Sequence, residues 1–312
     1  MPLVLMSRAE DPAVWRRAVR TLAPEIDFRV WPEIGNGADI TMLACNVDDD
    51  RELGAAFAAM PALRCVVYLG HGAGDVLLSR FLPRGVPVLR LRDPGIIRSM
   101  VEYVALYVLR HHRREPLYVE QQRRHVWQAY FPPPTPTVRL GVMGLGAIGA
   151  PIARMMRALG FRVSGWARTR HEIDGVAGYA GRAGLEPFLA PLDYVACVLP
   201  LTRETESIID AGTIAAMKPG AYFLNIGRGR LVVEEDLLAA LDSGHLSGAV
   251  LDVFRTEPLP ADSPFWDHPK VMVTPHESGV RTEASIPGIV ANYRRLKGGE
   301  PLLGIADPAR GY

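Results

Sequence analysis

Cysteine is scarce in this sequence: there are 3 among 312 residues, Cys45, Cys65 and Cys197. Their number is odd, and none stands at CxxC or metal-ligand spacing, so neither a disulfide framework nor a metal site is expected. We predict that all three are buried apolar side chains in a protein of a reducing compartment, the cytoplasm.

Long apolar runs and an excess of one charge are also missing. No segment approaches the ~20 apolar residues that a membrane-spanning helix needs. The apolar run of five in the opening MPLVLMSRAEDP is too short for a signal-peptide core. The formal net charge of +1 provides no field for nucleic acid or an anionic membrane, and we expect neither as a partner. With 48% apolar and 22% charged residues, the composition is that of an ordinary globular protein.

Strand-like and helix-like segments alternate along the first third of the chain. The predicted strands are residues 2–6, 27–31, 40–45, 64–69 and 86–91. Residues 11–23 read as a helix with Asp11 as N-cap and Pro12 at its first position. A longer helical pattern covers 95–114, where apolar residues recur at spacings of three and four: Ile97, Met100, Val101, Val104 and Val108. The alternation predicts a parallel sheet covered on both faces.

A second alternating series follows residues 115–137, which are polar and then proline-rich. The PPPTP run in this excursion cannot continue a helix and marks a boundary. The predicted strands beyond it are residues 138–144, 162–167, 193–199, 221–226, 247–253 and 271–275, with a helix at 233–245. The sequence therefore predicts two α/β units. The second is inserted into the first if a C-terminal helix near 281–298 packs back on the first.

Gly144, Gly146 and Gly149 form a GxGxxG turn between a predicted strand and a predicted helix. The first glycine suits a tight turn, the second a close approach of backbone to a pyrophosphate, and the third the packing of helix on strand. Free amides and the positive end of the helix dipole would bind the anion. The strand–turn–helix context favours a dinucleotide, although a methyltransferase binding an adenosyl group could use a similar turn.

The strand after this turn ends without the usual acid. In dinucleotide sites an acidic residue there holds the ribose diol, but here Arg168, Thr169 and Arg170 follow the strand. Two guanidiniums around a hydroxyl would bind a 2′-phosphate through charge-assisted bonds. The alternative is a solvated basic loop. The arginines, together with the missing acid, favour NADP over NAD.

Four polar residues lie at the ends of three later strands. Arg228 follows one strand, Asp252 ends the next and Glu257 lies in the loop after it, and His276 follows a third. Loops beyond the carboxyl ends of parallel strands line one crevice. Singly, each residue has an ordinary explanation, such as a loop cation, a turn residue before Pro258 or a core histidine. Together, behind a nucleotide turn, they favour an active site.

These residue types suit hydride transfer to a 2-keto acid. A histidine can give a proton to the carbonyl oxygen as it gains negative charge. Glu257 on the other ring nitrogen would orient the imidazole of His276 and raise its pKa. Arg228 would bind the substrate carboxylate and polarise the ketone, and Asp252 could accept from the nicotinamide amide.

The second unit resembles the D-isomer-specific 2-hydroxyacid dehydrogenase family. The resemblance lies in GVMGLGAIG (141–149), LPLTRETESIID (199–210), MKPGAYFLNIGRG (217–229), DLLAALDSGHLSGAVLDVFRTEPLP (236–260) and TPHESGVRTEA (274–284). Within the family the chain is most similar to the glyoxylate/hydroxypyruvate reductase A subgroup, through WARTR (166–170), LLAALDSG with AVLDVF (237–254) and the terminal ARGY (309–312).

The resemblance implies a fold, a cofactor and a set of site residues. The implied fold is two doubly wound parallel-sheet domains: a flavodoxin-like substrate domain, residues 1–98 completed by 279–312, and an inserted Rossmann domain, residues 99–278, that binds NADPH in preference to NADH. Arg228, Glu257 and His276 are the implied catalytic residues. The implied cofactor contacts are Gly144, Gly146, Ala147, Ile148, Gly149, Arg168, Thr169, Arg170, Leu199, Pro200, Thr205, Ile226, Gly227, Arg228, Asp252 and His276.

Substrate contacts are implied in both units. LGHGAGDV (69–76) is one residue longer than the GxGxD-type loop of many relatives. Backbone amides of Gly72, Ala73 and Gly74 would receive the substrate carboxylate beside Arg228 and His276. His71 either touches the substrate or is a partly exposed loop histidine. In reductases of this type the 115–137 excursion embraces a second subunit. The resemblance therefore implies a homodimer in which Trp127 either closes the partner's pocket or is an ordinary dimer contact.

The function favoured by these residues is NADPH-dependent reduction of a small 2-keto acid, glyoxylate to glycolate or hydroxypyruvate to D-glycerate. Two alternatives remain open at this point. A roomier pocket would take a bulkier 2-keto acid such as phenylpyruvate. Some relatives are nucleotide-sensing corepressors, but we find no partner-binding tails in this sequence and rank that function lower.

Overall fold

A computed structural model of the chain describes residues 1–8, 10–47, 49–70, 76–77, 79–90, 93–279 and 283–307. The chain divides into two compact units. The first comprises Met1–Gly95, Pro200–Thr202 and Arg281–Tyr312, and the second comprises Ile96–Leu199 and Arg203–Val280. Over the described ranges, no helix has both the length and the apolar character needed to cross a membrane.

Strands and helices alternate in both units, as the sequence predicts. The strands are β1 (Pro2–Met6), β2 (Asp27–Val30), β3 (Met42–Cys45), β4 (Cys65–Tyr68), β5 (Val88–Arg90), β6 (Arg139–Met143), β7 (Arg162–Ala167), β8 (Ala177–Ala180), β9 (Tyr194–Cys197), β10 (Ala221–Asn225), β11 (Leu246–Leu251) and β12 (Val271–Val273). The α-helices are α1 (Pro12–Leu22), α2 (Asp50–Ala59), α3 (Pro94–His112), α4 (Glu115–Arg123), α5 (Gly149–Ala158), α6 (Leu185–Leu189), α7 (Ala211–Ala215), α8 (Glu234–Asp242) and α9 (Ile286–Gly298).

The first unit contains a parallel sheet in the order β2-β1-β3-β4-β5. This is the strand order of flavodoxin-like doubly wound folds. Its strands β1, β3 and β4 are buried along their whole length, because helices cover both faces of such a sheet. The predicted fold class of this unit is confirmed.

The C-terminal segment completes the edge of this sheet. Leu89 on β5 and Ile305 form an antiparallel bridge, and Ala306 N donates to Val88 O at 2.8 Å. Asn292 on α9 is buried, and its side-chain oxygen accepts from Leu303 N at 2.8 Å. The segment therefore pairs with a strand that would otherwise be an open edge.

The second unit contains a parallel sheet in the order β12-β11-β10-β9-β6-β7-β8. The strand order reverses between β6 and β9, as in Rossmann folds, and ligands of such sheets bind beyond the carboxyl ends of the strands at this reversal. The predicted Rossmann fold is confirmed, and the glycine turn directly follows β6.

Two helices show how local sequence sets the elements. The side chain of Asp11 caps α1 by accepting from Ala13 N at 2.8 Å, with Pro12 at the first helical position, as predicted. Helix α3 buries Met100, Val101, Val104 and Val108. The sequence placed Ile97 on this face, but the structure buries Ile96 and leaves Ile97 half-buried. Ile96 precedes Met100 by four residues and so shares its face.

Candidate active site

The glycine turn after β6 is shaped by close backbone contacts. Gly144 has a φ of +99°, and a Cβ there would lie 2.9 Å from the carbonyl oxygen of Val198. A Cβ on Gly149 would collide with the carbonyl oxygen of Gly144. Gly146 differs, since a Cβ there would meet no described atom within 4 Å. The first and third glycines are therefore required by the protein's own packing, whereas the space beside Gly146 is open to a ligand.

The start of α5 is suited to an anion. Ile148 occupies the N-cap position, and its apolar side chain makes no capping hydrogen bond within the described structure. Gly146 and Ala147 are exposed, and Gly149 begins the helix. The amides of a helix start, with the positive end of its dipole, bind phosphate groups. These residues fit the pyrophosphate of a dinucleotide.

Two cations follow the neighbouring strand. Strand β7 ends at Ala167, and Arg168, Thr169 and Arg170 after it are all exposed. Within the part of the chain that the structure describes, neither arginine forms an ion pair. Two guanidiniums and a hydroxyl at this strand end suit a phosphate better than a sugar diol.

The loops that follow β9 and β10 pack against each other. A Cβ on Gly227 would lie 2.8 Å from the carbonyl oxygen of Leu199. Leu199 and Ile226 are buried, so among the implied cofactor contacts these two are held in place by the core. Two further implied cofactor contacts lie in this region. Pro200 belongs to the first unit, and the carbonyl of Thr205 accepts from Ile208 N in a turn.

Arg228 lies in a turn that a buried asparagine holds. The side chain of Asn225, at the end of β10, donates to the carbonyl of Arg228 at 3.0 Å and accepts from Gly227 N at 3.2 Å. The guanidinium of Arg228 donates to the carbonyl of Gly227 at 2.8 Å. The sequence patterns did not single out Asn225, although it begins the stretch NIGRG (225–229). The sequence signal that could have identified Asn225 is an amide side chain at the end of a buried strand, next to a glycine turn.

Close packing links the Arg228 turn to the loop that carries Glu257. A Cβ on Gly229 would collide with the carbonyl of Phe254, so only glycine allows the two backbones to meet there. Phe254 N then donates to Glu257 Oε1 at 2.9 Å, which orients the carboxylate. The structure thus brings two of the predicted site loops together.

His276 meets Glu257 directly. The imidazole Nδ1 lies 2.7 Å from Glu257 Oε2, and both side chains are partly exposed. His276 follows β12 and has a φ of 54°, the left-handed region that non-glycine residues seldom adopt. Its amide donates to the carbonyls of Asp252 at 2.9 Å and Thr274 at 3.0 Å. With Nδ1 occupied by Glu257, Nε2 is the ring nitrogen left to face a substrate.

The charges of this group adjust the pKa of each member. The hydrogen bond to Glu257 raises the pKa of His276 above its ordinary value, against the effects of burial and of the Arg228 charge. Burial by itself would raise the pKa of Glu257, but the hydrogen bond and charge of His276, with the Phe254 amide and Arg228, bring it below its ordinary value. The geometry therefore favours an imidazolium beside a carboxylate, and Arg228 is close enough to influence both.

Asp252 is fully buried beneath the loop that carries His276. Its carboxylate accepts from Thr274 Oγ1 at 2.6 Å, from Glu277 N at 2.8 Å and from Ser278 N at 3.0 Å. Three donors thus converge on one carboxylate. A role for Asp252 as acceptor from the nicotinamide amide stays a prediction; the described contacts show that its carboxylate binds the loop of His276.

Trp127 lies after α4 in the predicted excursion and is fully exposed, and Phe131 nearby is 89% exposed. The segment is held to α4 through Tyr118, whose hydroxyl donates to Tyr130 O and accepts from Tyr130 N, both at 2.8 Å. The predicted substrate contacts Gly72, Ala73 and Gly74, with His71, lie outside the described residues.

Comparison with known proteins gives consistent matches over most of the chain. Residues 105–278 match the model of the D-isomer specific 2-hydroxyacid dehydrogenase NAD-binding domain. The chain is 36% identical over 305 residues to glyoxylate/hydroxypyruvate reductase A of Serratia proteamaculans, covering 96% of each sequence. It superposes with a TM-score of 0.90 on a D-isomer specific 2-hydroxyacid dehydrogenase of Xanthobacter autotrophicus in complex with NADPH, at 37% identity and over 100% of this chain and 99% of that chain. An NADPH-dependent glyoxylate/hydroxypyruvate reductase of Sinorhizobium meliloti in complex with NADP gives 0.91 at 32% identity, over 100% and 99%.

Proposed function

The chain belongs to the D-isomer-specific 2-hydroxyacid dehydrogenase family, and from this we propose that it is an NADPH-dependent reductase of small 2-keto acids. The substrates are glyoxylate, reduced to glycolate, and hydroxypyruvate, reduced to D-glycerate. The single observation that carries this function is the pairing of His276 with Glu257 at 2.7 Å in the Rossmann unit that bears the glycine turn.

His276 is the proton donor of the proposed reaction. Bound NADPH would supply a hydride to the keto carbon. His276 Nε2 gives its proton to the carbonyl oxygen as negative charge develops there, so that the ketone becomes a hydroxyl group. Glu257 holds the ring through Nδ1 and keeps it protonated in the pH range where a free histidine loses its proton.

Arg228 binds the carboxylate of the keto acid in this proposal. A guanidinium offers paired donors that match a carboxylate, and its charge also polarises the neighbouring carbonyl. Asn225 and Gly229 serve it indirectly, because they fix the turn on which Arg228 stands.

The cofactor preference rests on the end of β7. Arg168, Thr169 and Arg170 would bind the 2′-phosphate of NADPH, and Gly144, Gly146, Ala147, Ile148 and Gly149 its pyrophosphate. The reductase of known structure from Sinorhizobium meliloti is NADPH-dependent, which supports the same preference here. We assign cofactor binding to residues 99–278 and substrate binding to residues 1–98 with 279–312, where Gly72, Ala73 and Gly74 would receive the substrate carboxylate.

We also propose a homodimer formed through residues 115–137. Trp127 and Phe131 expose large aromatic surfaces on a segment that Tyr118 holds in place. Aromatic residues are enriched in interface cores, and a second copy of the chain would remove this area from water. Trp127 then lies at the subunit contact or reaches the partner's pocket.

We place this enzyme in the cytoplasm, with no nucleic-acid or membrane partner. The cysteines Cys45, Cys65 and Cys197 are all buried. The net charge of +1 is too small to attract polyanions. One relative, aligned over 96% of the chain, is named glyoxylate/hydroxypyruvate reductase A, and the reported comparisons do not favour a bulkier substrate or a corepressor.

The proposed function is tested by following the absorbance of reduced cofactor in a substrate panel. We expect glyoxylate and hydroxypyruvate to be reduced with NADPH, with a higher kcat/KM than pyruvate, phenylpyruvate or 2-oxoglutarate. A preference for phenylpyruvate would contradict the assigned substrate class, and a failure to oxidise NADPH with any 2-keto acid would contradict the enzyme activity itself.

A further inference from the structure

A chain of buried hydroxyl groups runs from helix α3 to the loop of His276. Tyr103 OH lies 2.5 Å from Thr274 Oγ1, and Thr274 Oγ1 lies 2.6 Å from Asp252 Oδ1. Thr274 has one hydroxyl proton, which it gives to the carboxylate, so Tyr103 must be the donor to Thr274. Burial raises the pKa of Tyr103, so its phenol remains protonated and able to donate. All three residues are buried.

The same face of α3 holds the other end of the loop. Ser99 Oγ donates to the carbonyl of Ser278 at 2.9 Å. Ser99 and Tyr103 are four residues apart, so they lie one above the other on the helix. A Cβ on Gly279 would lie 3.1 Å from Ile96 Cγ2, which shows how closely the loop packs on this face. The loop of residues 274–279 is therefore fixed to α3 at both ends.

The backbone of His276 needs such support. Its φ of 54° is unfavourable for a residue with a Cβ, and backbone of this kind persists where the surrounding contacts over-determine it. Asp252 provides part of the support by binding the amides of Glu277 and Ser278. Thr274 provides another part, because it binds the same carboxylate and its carbonyl accepts from His276 N.

We propose that Tyr103 and Thr274 are positioning residues for His276. This inference rests on the proposed function, in which His276 gives the proton. The hydroxyl groups of Tyr103 and Thr274 fix the carboxylate of Asp252, and Asp252 fixes the loop of residues 274–279. That loop in turn holds the imidazole within hydrogen-bond distance of Glu257. In this proposal Tyr103 and Thr274 act only through Asp252 and the loop of His276, so their loss should lower kcat while leaving cofactor binding intact.

The test uses Y103F, T274V and the double variant in the full-length protein. T274S keeps the hydroxyl and is the conservative rescue. Y107F is the matched control, because Tyr107 lies one turn further along α3 and is as buried as Tyr103, at 7% against 6% exposure. Two readouts are needed: kcat with the KM for NADPH, and amide hydrogen exchange of the peptide that contains residues 274–279.

We expect Y103F and T274V to lower kcat about tenfold, with the KM for NADPH within about twofold of wild type. Amides 276–278 should exchange about tenfold faster. The double variant should be little worse than T274V alone, because the two hydroxyls act in series. T274S and Y107F should resemble the wild-type protein in both readouts.

The inference is overturned if folded Y103F matches Y107F in exchange, or if exchange rises while kcat does not change. Should T274V fail to fold, Y103F and T274S still decide the matter. A wild-type protein with no 2-keto acid reduction would contradict the proposed function. The exchange measurement would then still show whether the hydroxyl chain holds the loop.

Discussion

His276 Nδ1 lies 2.7 Å from Glu257 Oε2, although the two residues belong to loops that follow different strands. The contact leaves Nε2 as the ring nitrogen that can serve a substrate and raises the pKa of the imidazole. Phe254 N holds the other oxygen of the carboxylate. The two hydrogen bonds therefore fix the orientation of the pair, and the pKa shifts favour an imidazolium beside a carboxylate. Both properties can be tested.

The first prediction concerns pH. Reduction requires the imidazolium, so its rate should fall as pH rises through the raised pKa of His276. Replacing Glu257 by glutamine removes the carboxylate charge and should move this fall to lower pH. The measurement is kcat/KM for glyoxylate from pH 5 to 10 in both proteins. A pH profile that does not move in E257Q would contradict the assigned role of Glu257.

The second prediction concerns cofactor choice. The R168S/R170S variant should raise the KM for NADPH by about 10- to 100-fold and leave that for NADH within a few-fold, because only the 2′-phosphate uses these charges. R162S is the matched control, since Arg162 is exposed at the opposite end of the same strand. If the KM values for NADPH and NADH rise equally in R168S/R170S, the two arginines do not bind the 2′-phosphate.

The third prediction separates folding from binding at the glycine turn. G146A should fold with an unchanged Tm, because its Cβ meets no described atom, yet bind NADPH at least about tenfold more weakly. G149A should be destabilised, because its Cβ collides with Gly144. G212A is the control, because a Cβ on Gly212 in helix α7 would make an ordinary contact of 3.5 Å with Asp210 Oδ1. Calorimetry measures Tm, and the fluorescence of bound cofactor measures NADPH affinity. Normal NADPH binding by G146A would argue against the turn as the pyrophosphate site.

The fourth prediction concerns assembly. Sedimentation should show a dimer of the wild-type chain, and W127A/F131A should dissociate at micromolar concentrations because two aromatic anchors are lost. W266A is the control, since Trp266 is half exposed and lies outside the excursion. A monomeric wild-type chain would exclude the proposed dimer. If W127A/F131A dimerises as strongly as W266A, the subunit contact lies elsewhere.

Much of the fold could be predicted because its strands are buried and its helices amphipathic. Strand β8 was missed: Ala177–Ala180 has the sequence AGYA, with little β-branched character, and pairs only at the sheet edge. Helix α4 was read as part of a polar excursion. It has one buried residue, Gln121, and its N-cap residue, Arg114, makes no side-chain capping hydrogen bond in the described structure, so the local sequence signals are weak.

The positions of the candidate site residues could be predicted where they follow a local sequence pattern. The glycine turn and the residues Arg228, Glu257 and His276 stand at strand ends that the pattern located. The left-handed backbone of His276 and the contact between Tyr103 and Thr274 could not be foreseen, because the latter joins residues 171 positions apart. Contacts of that range depend on tertiary packing, which periodicity does not encode.

The most direct test of the account is the rate of NADPH oxidation with glyoxylate in H276Q, alongside NADPH affinity and Tm. If His276 gives the proton, kcat falls by about 10²–10⁴-fold, while cofactor affinity and Tm stay close to those of the wild-type protein. A folded H276Q protein that retains the wild-type kcat would show that the proton comes from elsewhere.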